Sequence, residues 1–289
     1  MIRTPLLFCL LLFASFGLSQ EDKLNIIVFG AHPDDCDIDA GGTAILFSQM
    51  GHNVKFVSLT NGDAGHHIKG GDELAKIRLA EAQEAGKRFG VTYTVLDNHD
   101  GELMPTLENR LKVIREIRKW QADIVIAPRP NDYHPDHRYT GVLIQDAAYM
   151  VIVPNIAKDV PPLKANPVFM YSADHFQKPN PFEPDIVINI DKVFDQKIYA
   201  MAAHESQFFE WLPWTSGALD KVPKTTDARL KMLANWRKDA PNEAALKTLE
   251  KWYGQKGAEV QHVEGFEICE YGKQPSEEEL KRLFPMLNP

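Results

Sequence analysis

Apolar runs of strand length recur at 24–30, 54–60, 91–96 and 123–127, and segments patterned as helices lie between them at 40–50, 73–89 and 106–120. Parallel strands need a long crossover, and a helix on the sheet face supplies one, so this alternation builds βαβ units. The expected fold class is α/β: a mainly parallel sheet flanked by helices. In 73–89, Ala75, Leu79, Ala82, Gly86 and Phe89 recur at steps of four and three, which predicts one apolar helix face with Gly90 as its C-cap. Thr106 is the expected N-cap of the next helix, whose face is Leu107, Leu111, Ile114 and Ile117. A helix at 138–151 and strands at 167–172 and 185–190 follow, and a charged helical stretch at 226–252 and a strand at 262–271 add C-terminal segments.

Residues 1–19 stand apart. Arg3, an apolar run from Leu6 to Phe16 and small residues Gly17 and Ser19 have the layout of a secretory signal peptide cleaved after Ser19. The run is short for a bilayer span, which takes about 20 residues. The expectation is an exported protein, periplasmic or extracellular, with 20–289 forming a single domain and no integral membrane segment in the mature chain. The formal net charge of −8 disfavours nucleic acid and anionic membranes as partners, since both call for clustered positive charge. Only Cys36 and Cys269 lie beyond the leader, too few for a disulfide scaffold, although one bond between them stays open. The sequence leaves the oligomeric state unspecified.

Two polar clusters carry the chemistry. Ala31-His32-Pro33-Asp34-Asp35-Cys36-Asp37 follows the first strand, and Asn131-Asp132-Tyr133-His134-Pro135-Asp136-His137 follows the fourth. In a doubly wound sheet of order 3-2-1-4 those strands are neighbours at the point where the winding reverses, and ligands bind outside the carboxyl ends of strands there. His32, Asp35 and one of His134 or His137 make a set of two imidazoles and a carboxylate. That set suits a catalytic zinc with an open position, or another divalent metal such as Fe2+. Asp34 remains as the acid placed to take a proton from an activated water, and the second imidazole of the pair to steady an oxyanion or protonate a leaving amine. Gly30, Gly41 and Gly42 lack the dinucleotide-binding spacing.

The two clusters together resemble the zinc-dependent GlcNAc-PI de-N-acetylase family, also called PIG-L or LmbE-like. The likeness runs from about Asn25 to His204, with an echo in 262–271. Supporting matches are Thr60-Asn61-Gly62-Asp63, Arg78, Glu81, Asp100 and His204-Glu205-Ser206-Gln207. The resemblance implies a Rossmann-like, LmbE-like fold and hydrolytic removal of an N-acetyl group from an amino sugar or its conjugate, a small-molecule substrate. It implies zinc held by His32, Asp35 and His137, Asp34 as general base, and His134 as the oxyanion-stabilising or acid residue. Cys36 stands where the family usually has Glu, which shifts the expected support of the site to Asp37.

The remaining expectations concern substrate contacts. Asp63 and Asp100 end the second and third strands on the active edge, where sugar hydroxyls would lie. His66 belongs to a Gly-rich loop that can line the sugar site, and Arg129 either meets substrate or pairs with an acid. His204 enters through the resemblance; its own surroundings in sequence read as a packed core position. Trp211 and Trp214 offer a stacking platform or a lid, and Asp39 reads as the N-cap of the helix at 40–50. Competing readings are a metal-dependent hydrolase of another amide or a phosphoester, and a non-catalytic sugar-binding protein.

Overall fold

The structure, a computed structural model, describes residues 23–287; the expected signal peptide lies outside them. The core is one seven-stranded sheet: β1 (Asn25–Gly30), β2 (Asn53–Thr60), β3 (Thr92–Asn98), β4 (Ile124–Ala127), β5 (Val168–Ser172), β6 (Ile186–Asn189) and β7 (Val263–Ile268). Its order is β3-β2-β1-β4-β5-β7-β6. The first five strands are all parallel, so the assumed order 3-2-1-4 is the observed one. The C-terminal strand is not an appendage. β7 lies between β5 and β6 and runs antiparallel to both.

The crossovers are α1 (Asp35–Gln49), α2 (Gly71–Phe89), α3 (Leu107–Trp120) and α4 (Pro135–Met150), followed by α5 (Phe194–Met201), a π-helical turn (Ser206–Trp211), α6 (Leu212–Thr215), α7 (Thr226–Arg237), α8 (Glu243–Tyr253) and α9 (Glu277–Leu283). β1, β4 and the sheet's inner residues are buried on both faces, as their unbroken apolar runs require. One hydrophobic cluster packs on each side of the sheet. No helix among the described residues is long and apolar enough to cross a membrane.

Local signals held where the caps were explicit. Gly90 closes α2 with φ 75°, and the Thr106 side chain accepts from the Asn109 amide at the start of α3. Three expectations need correction. The buried face of α2 is Leu74, Arg78, Ala82, Ala85, Gly86 and Phe89, so Ala82, Gly86 and Phe89 lie where the periodicity puts them, while at the start of the helix Leu74 and Arg78 take the places expected of Ala75 and Leu79, the latter 41% exposed. The stretch 226–252 is two helices, α7 and α8, broken where Lys238 and Asp239 take positive φ. Most consequentially, α1 starts at Asp35, so Asp39 lies one turn inside the helix and does not cap it.

Candidate active site

Four residues, Ala31 to Asp34, turn the chain from β1 into α1. The turn is tight enough that a Cβ on Gly30 would lie 2.6 Å from the Cβ of Asp35. Asp35 Oδ2 accepts from the amides of Ala31 and His32, both at 2.8 Å, which folds its carboxylate back over the turn. Across the switch point α4 begins at Pro135, with His134 as N-cap and Nδ1 accepting from the Asp136 amide at 3.2 Å.

These two turns bring three donor atoms together. His32 Nδ1 and His137 Nε2 are 3.1 Å apart, and Asp35 Oδ2 is 3.5 Å from each of them. Tetrahedral ligands at 2.0–2.1 Å from a zinc ion are separated by about 3.3 Å, so the triangle has the dimensions of one face of such a site. The opposite nitrogens are backed by carboxylates. His32 Nε2 lies 3.0 Å from Asp100 Oδ1 and 3.3 Å from Asp136 Oδ2, though neither oxygen sits on the line of an N–H there, making these close electrostatic contacts rather than linear hydrogen bonds. His137 Nδ1 is 3.1 Å from Asp132 Oδ1. Carboxylates on the outer nitrogens hold the protons there and turn lone pairs toward the shared point. Two inward N–H groups cannot share a 3.1 Å gap; one proton or one cation can.

The electrostatics agree with that division. Burial opposes the charge on His32, but Asp100, Asp136 and Asp35 outweigh it and raise its pKa well above normal. Burial likewise pushes Asp35 up, and His137 and His32 pull it down far below the usual carboxylate range. His134 goes the other way: burial and then the positive charge of His32 and His137 lower its pKa. A neutral His134 whose Nδ1 accepts a backbone amide carries its proton on Nε2. His134 also completes a group of three imidazoles within 4.8 Å.

Asp34 is the uncommitted acid. It is 2% exposed, its side chain caps no amide of α1, and it lines the cavity. Burial first, then the charge of Asp35, push its pKa up to about 6 against the opposing effect of His204, Arg78 and His32. A raised, uncommitted carboxyl in a cleft is the pattern of a general base.

The cavity around these groups has a volume of about 850 Å3, toward the upper end of what small-molecule sites enclose. Asp100 and Arg129 line it; Asp63, His66 and His204 do not. Asp63 accepts from His99 Nδ1 at 2.6 Å and from the Asp100 amide at 2.9 Å, and so fixes Asp100 from behind. His66 points its Nε2 at Glu210, 2.8 Å away, and its Nδ1 accepts from the Ile68 and Lys69 amides. His204 is fully buried with Nε2 2.9 Å from Asp37 Oδ1, and Asp37 also accepts from the Tyr93 hydroxyl at 2.8 Å. Asp37 therefore supports His204 rather than the histidine turn. Arg129 gives two 2.6 Å bonds to Asp174 and spends its other donors on the carbonyls of Phe176, Asn180 and Pro181; it shapes the loop after β5. Asp136 both backs His32 and accepts from the amides of Gly101 and Leu103.

Arg78, in the sequence no more than a family match, lines the cavity, donates to the Gly65 carbonyl at 2.7 Å, and keeps a buried Nε with no hydrogen-bond partner among the described residues. The signal was an arginine at the spacing of a helix's buried face. Cys36 lies against the Val28 and Val57 carbonyls in one core cluster, and Cys269 lies in the cluster on the other side of the sheet. Both are free, which removes the disulfide as an option.

A doubly wound sheet carrying two facing imidazoles, an acid between them and a second, unbonded acid at its switch point has the architecture of a hydrolase. Residues 27–148 match the GlcNAc-PI de-N-acetylase (PIG-L) family model. The chain is 33% identical over 204 residues to diacetylchitobiose deacetylase of Thermococcus kodakarensis, covering 67% of this chain and 74% of that one. It is 26% identical over 194 residues to a probable N-acetyl-alpha-D-glucosaminyl L-malate deacetylase 2 of Bacillus cereus, covering 63% and 83%. In structure it resembles N,N'-diacetylchitobiose deacetylase from Pyrococcus horikoshii in complex with its inhibitor MPG, with a TM-score of 0.64, 28% identity, and 89% and 88% of the two chains covered. The chain belongs to the PIG-L family of deacetylases.

Proposed function

We propose that this protein hydrolyses the N-acetyl amide of an N-acetylated amino sugar or its conjugate, releasing acetate and the free amine, as the names of its relatives suggest. The observation that carries the reading is Asp34: a buried carboxyl with no side-chain hydrogen bond among the described residues, beside the converging atoms of His32, Asp35 and His137. Those three residues would hold a divalent cation, zinc by the match of the donor set and its spacing. A cation there supplies Lewis-acid polarisation of the amide carbonyl and lowers the pKa of a water it binds.

The chain's own groups do the rest. An Asp34 carboxylate oxygen takes the proton from the attacking water and later delivers it to the departing nitrogen. His134, neutral with its proton on Nε2, donates that N–H to the oxygen on which charge develops. Asp132 keeps the proton of His137 on Nδ1, and Asp100 with Asp136 keeps that of His32 on Nε2, so both rings present lone pairs inward. Asp100 and Arg78, which line the cavity, are positioned to meet sugar hydroxyls. The leader-like start of the chain fits export to the periplasm or beyond, with residues 20–289 working as one domain.

Acetate release from a panel of N-acetylated sugars, with and without a chelator, tests the function. Release that the chelator abolishes supports it; release of phosphate from phosphoesters with no acetate from any sugar refutes it. Mass analysis of the exported protein, expected to begin at Gln20, tests the leader.

A further inference from the structure

The residues from His204 to Trp211 follow α5 and form the π-helical turn along one wall of the cavity. Their side chains find partners in the protein almost one by one. His204 is held by Asp37, and Glu205 pairs with Arg229 at 2.6 Å. The Ser206 amide and hydroxyl donate to the two carboxylate oxygens of Glu81, at 2.7 Å and 2.6 Å. Phe208 and Phe209 are packed in the core, Glu210 holds His66 and Lys69, and the Trp211 ring stacks on Trp214 with centroids 5.3 Å apart. A turn gripped at so many points is rigid, and what it presents to the cavity is held in place.

Two polar groups are left over. Neither the Gln207 side-chain amide nor the Trp211 indole N–H has a hydrogen bond among the described residues, and both residues are half-buried and line the cavity. The Leu212 amide bonds the Gln207 carbonyl, the i→i+5 pattern of a π-turn, a rare feature found mostly at functional sites. Trp211 also borders a polar corner: a Cβ on Gly65 would lie 3.1 Å from Asp100 Oδ2 and 3.7 Å from both Arg78 Nη2 and Trp211 Nε1. An indole N–H only donates, whereas a primary amide donates and accepts. A hydroxyl satisfies both, taking the indole proton on its oxygen and giving its own proton to the amide oxygen. A carboxylate or phosphate would satisfy the donors but share the cavity with the acids Asp34 and Asp100.

We propose that Gln207, together with the Trp211 N–H, is a specificity-determining residue that binds one ring hydroxyl of the amino sugar and so reads where that hydroxyl stands. The proposal rests on the deacetylase reading and goes beyond it in assigning this contact. His204 and Ser206 then act as positioning residues: their bonds to Asp37 and Glu81 fix the turn from which Gln207 projects.

The test compares N-acetylglucosamine and its 3-, 4- and 6-deoxy derivatives as substrates of three enzymes. These are wild type, Gln207→Leu, which is similar in size but has no polar side-chain atom, and Trp211→Phe, which keeps a stacked ring and loses the N–H. In wild type, kcat/KM is expected to fall about tenfold for at least one derivative, the effect of leaving a protein hydrogen-bonding group unpaired. In Gln207→Leu that penalty disappears, so the parent sugar and this derivative react alike, and in Trp211→Phe it shrinks. A purely structural role would slow both sugars by one factor and leave the penalty intact. No penalty in wild type, or penalties unchanged for every derivative in either variant, overturns the proposal. No acetate from any sugar of the panel sinks the deacetylase reading on its own. Wherever N-acetylglucosamine is not turned over, its calorimetric titration decides the subsite: weaker binding by Gln207→Leu supports it, and equal affinity, or no binding by wild type, overturns it.

Discussion

His32 and His137, 105 positions apart in the chain, place Nδ1 and Nε2 at 3.1 Å from one another with the Asp35 carboxylate 3.5 Å from both. Removing either imidazole leaves two donors, and a divalent cation held by two donors is lost to dialysis far more readily than one held by three. His32→Ala and His137→Ala are expected to purify with less than a tenth of the metal of the wild type by elemental analysis. His134→Ala is expected to keep it, since its Nδ1 serves the Asp136 amide. Metal loss in His134→Ala with retention in His137→Ala would exchange the two roles.

Asp34→Asn is close to isosteric and removes the proton acceptor without touching the three converging donors. Stoichiometric metal with a turnover lower by about 10²–10⁴-fold is the expected outcome, the range that a positioned general base contributes. Wild-type turnover in this variant would take Asp34 out of the mechanism.

With Asp34 as the proposed base, the same carboxyl is expected to set the acid side of the pH profile. Burial and Asp35 push Asp34 up to about 6, with His204, Arg78 and His32 pulling it down; a bound dication adds to the downward pull. The base must be ionised, so kcat/KM rises with pH through the pKa of Asp34 and levels above it, with a midpoint at or below about 6. Arg78→Gln deletes one of the positive charges and moves that midpoint upward. A midpoint that stays put in Arg78→Gln, or moves down, would mean that another group controls the limb.

The parts of this site legible in the sequence are those that depend on strand ends. Each apolar run marks a strand, each histidine cluster follows one, and parallel topology carries both to the switch point. Asp39 was misread because the helix begins inside the histidine motif: Asp35 folds over its own turn, a contact invisible to cap rules. His204 and Asp37 are 167 residues apart, and His66 is turned from the cavity by Glu210, 144 residues away. Periodicity reports the face a residue occupies, not the partner that awaits it there. The place of β7 between β5 and β6 is likewise decided by pairing over long sequence separations.

Stability has its own test, away from the chemistry. Lys197 is fully buried and donates to the Ile38 carbonyl at 2.8 Å, to Asp239 Oδ2 at 2.8 Å and to Glu264 Oε1 at 2.7 Å. Glu264 in turn accepts from the amides of Gly42 and Thr43, tying β7 to the middle of α1. In Lys197→Met, Asp239 keeps Arg237 as a partner, 2.8 Å away, but Glu264 loses its cation while remaining 3% exposed. Leaving one charge of a buried pair uncompensated costs about 3–5 kcal/mol, to be read from urea midpoints at an unchanged m-value. Adding Glu264→Gln removes the stranded charge while its single amide oxygen still accepts from one of the two amides of Gly42 and Thr43, which now donate to separate carboxylate oxygens. The double variant is therefore expected to be more stable than Lys197→Met alone, a sign of coupling that two independent contacts would not give.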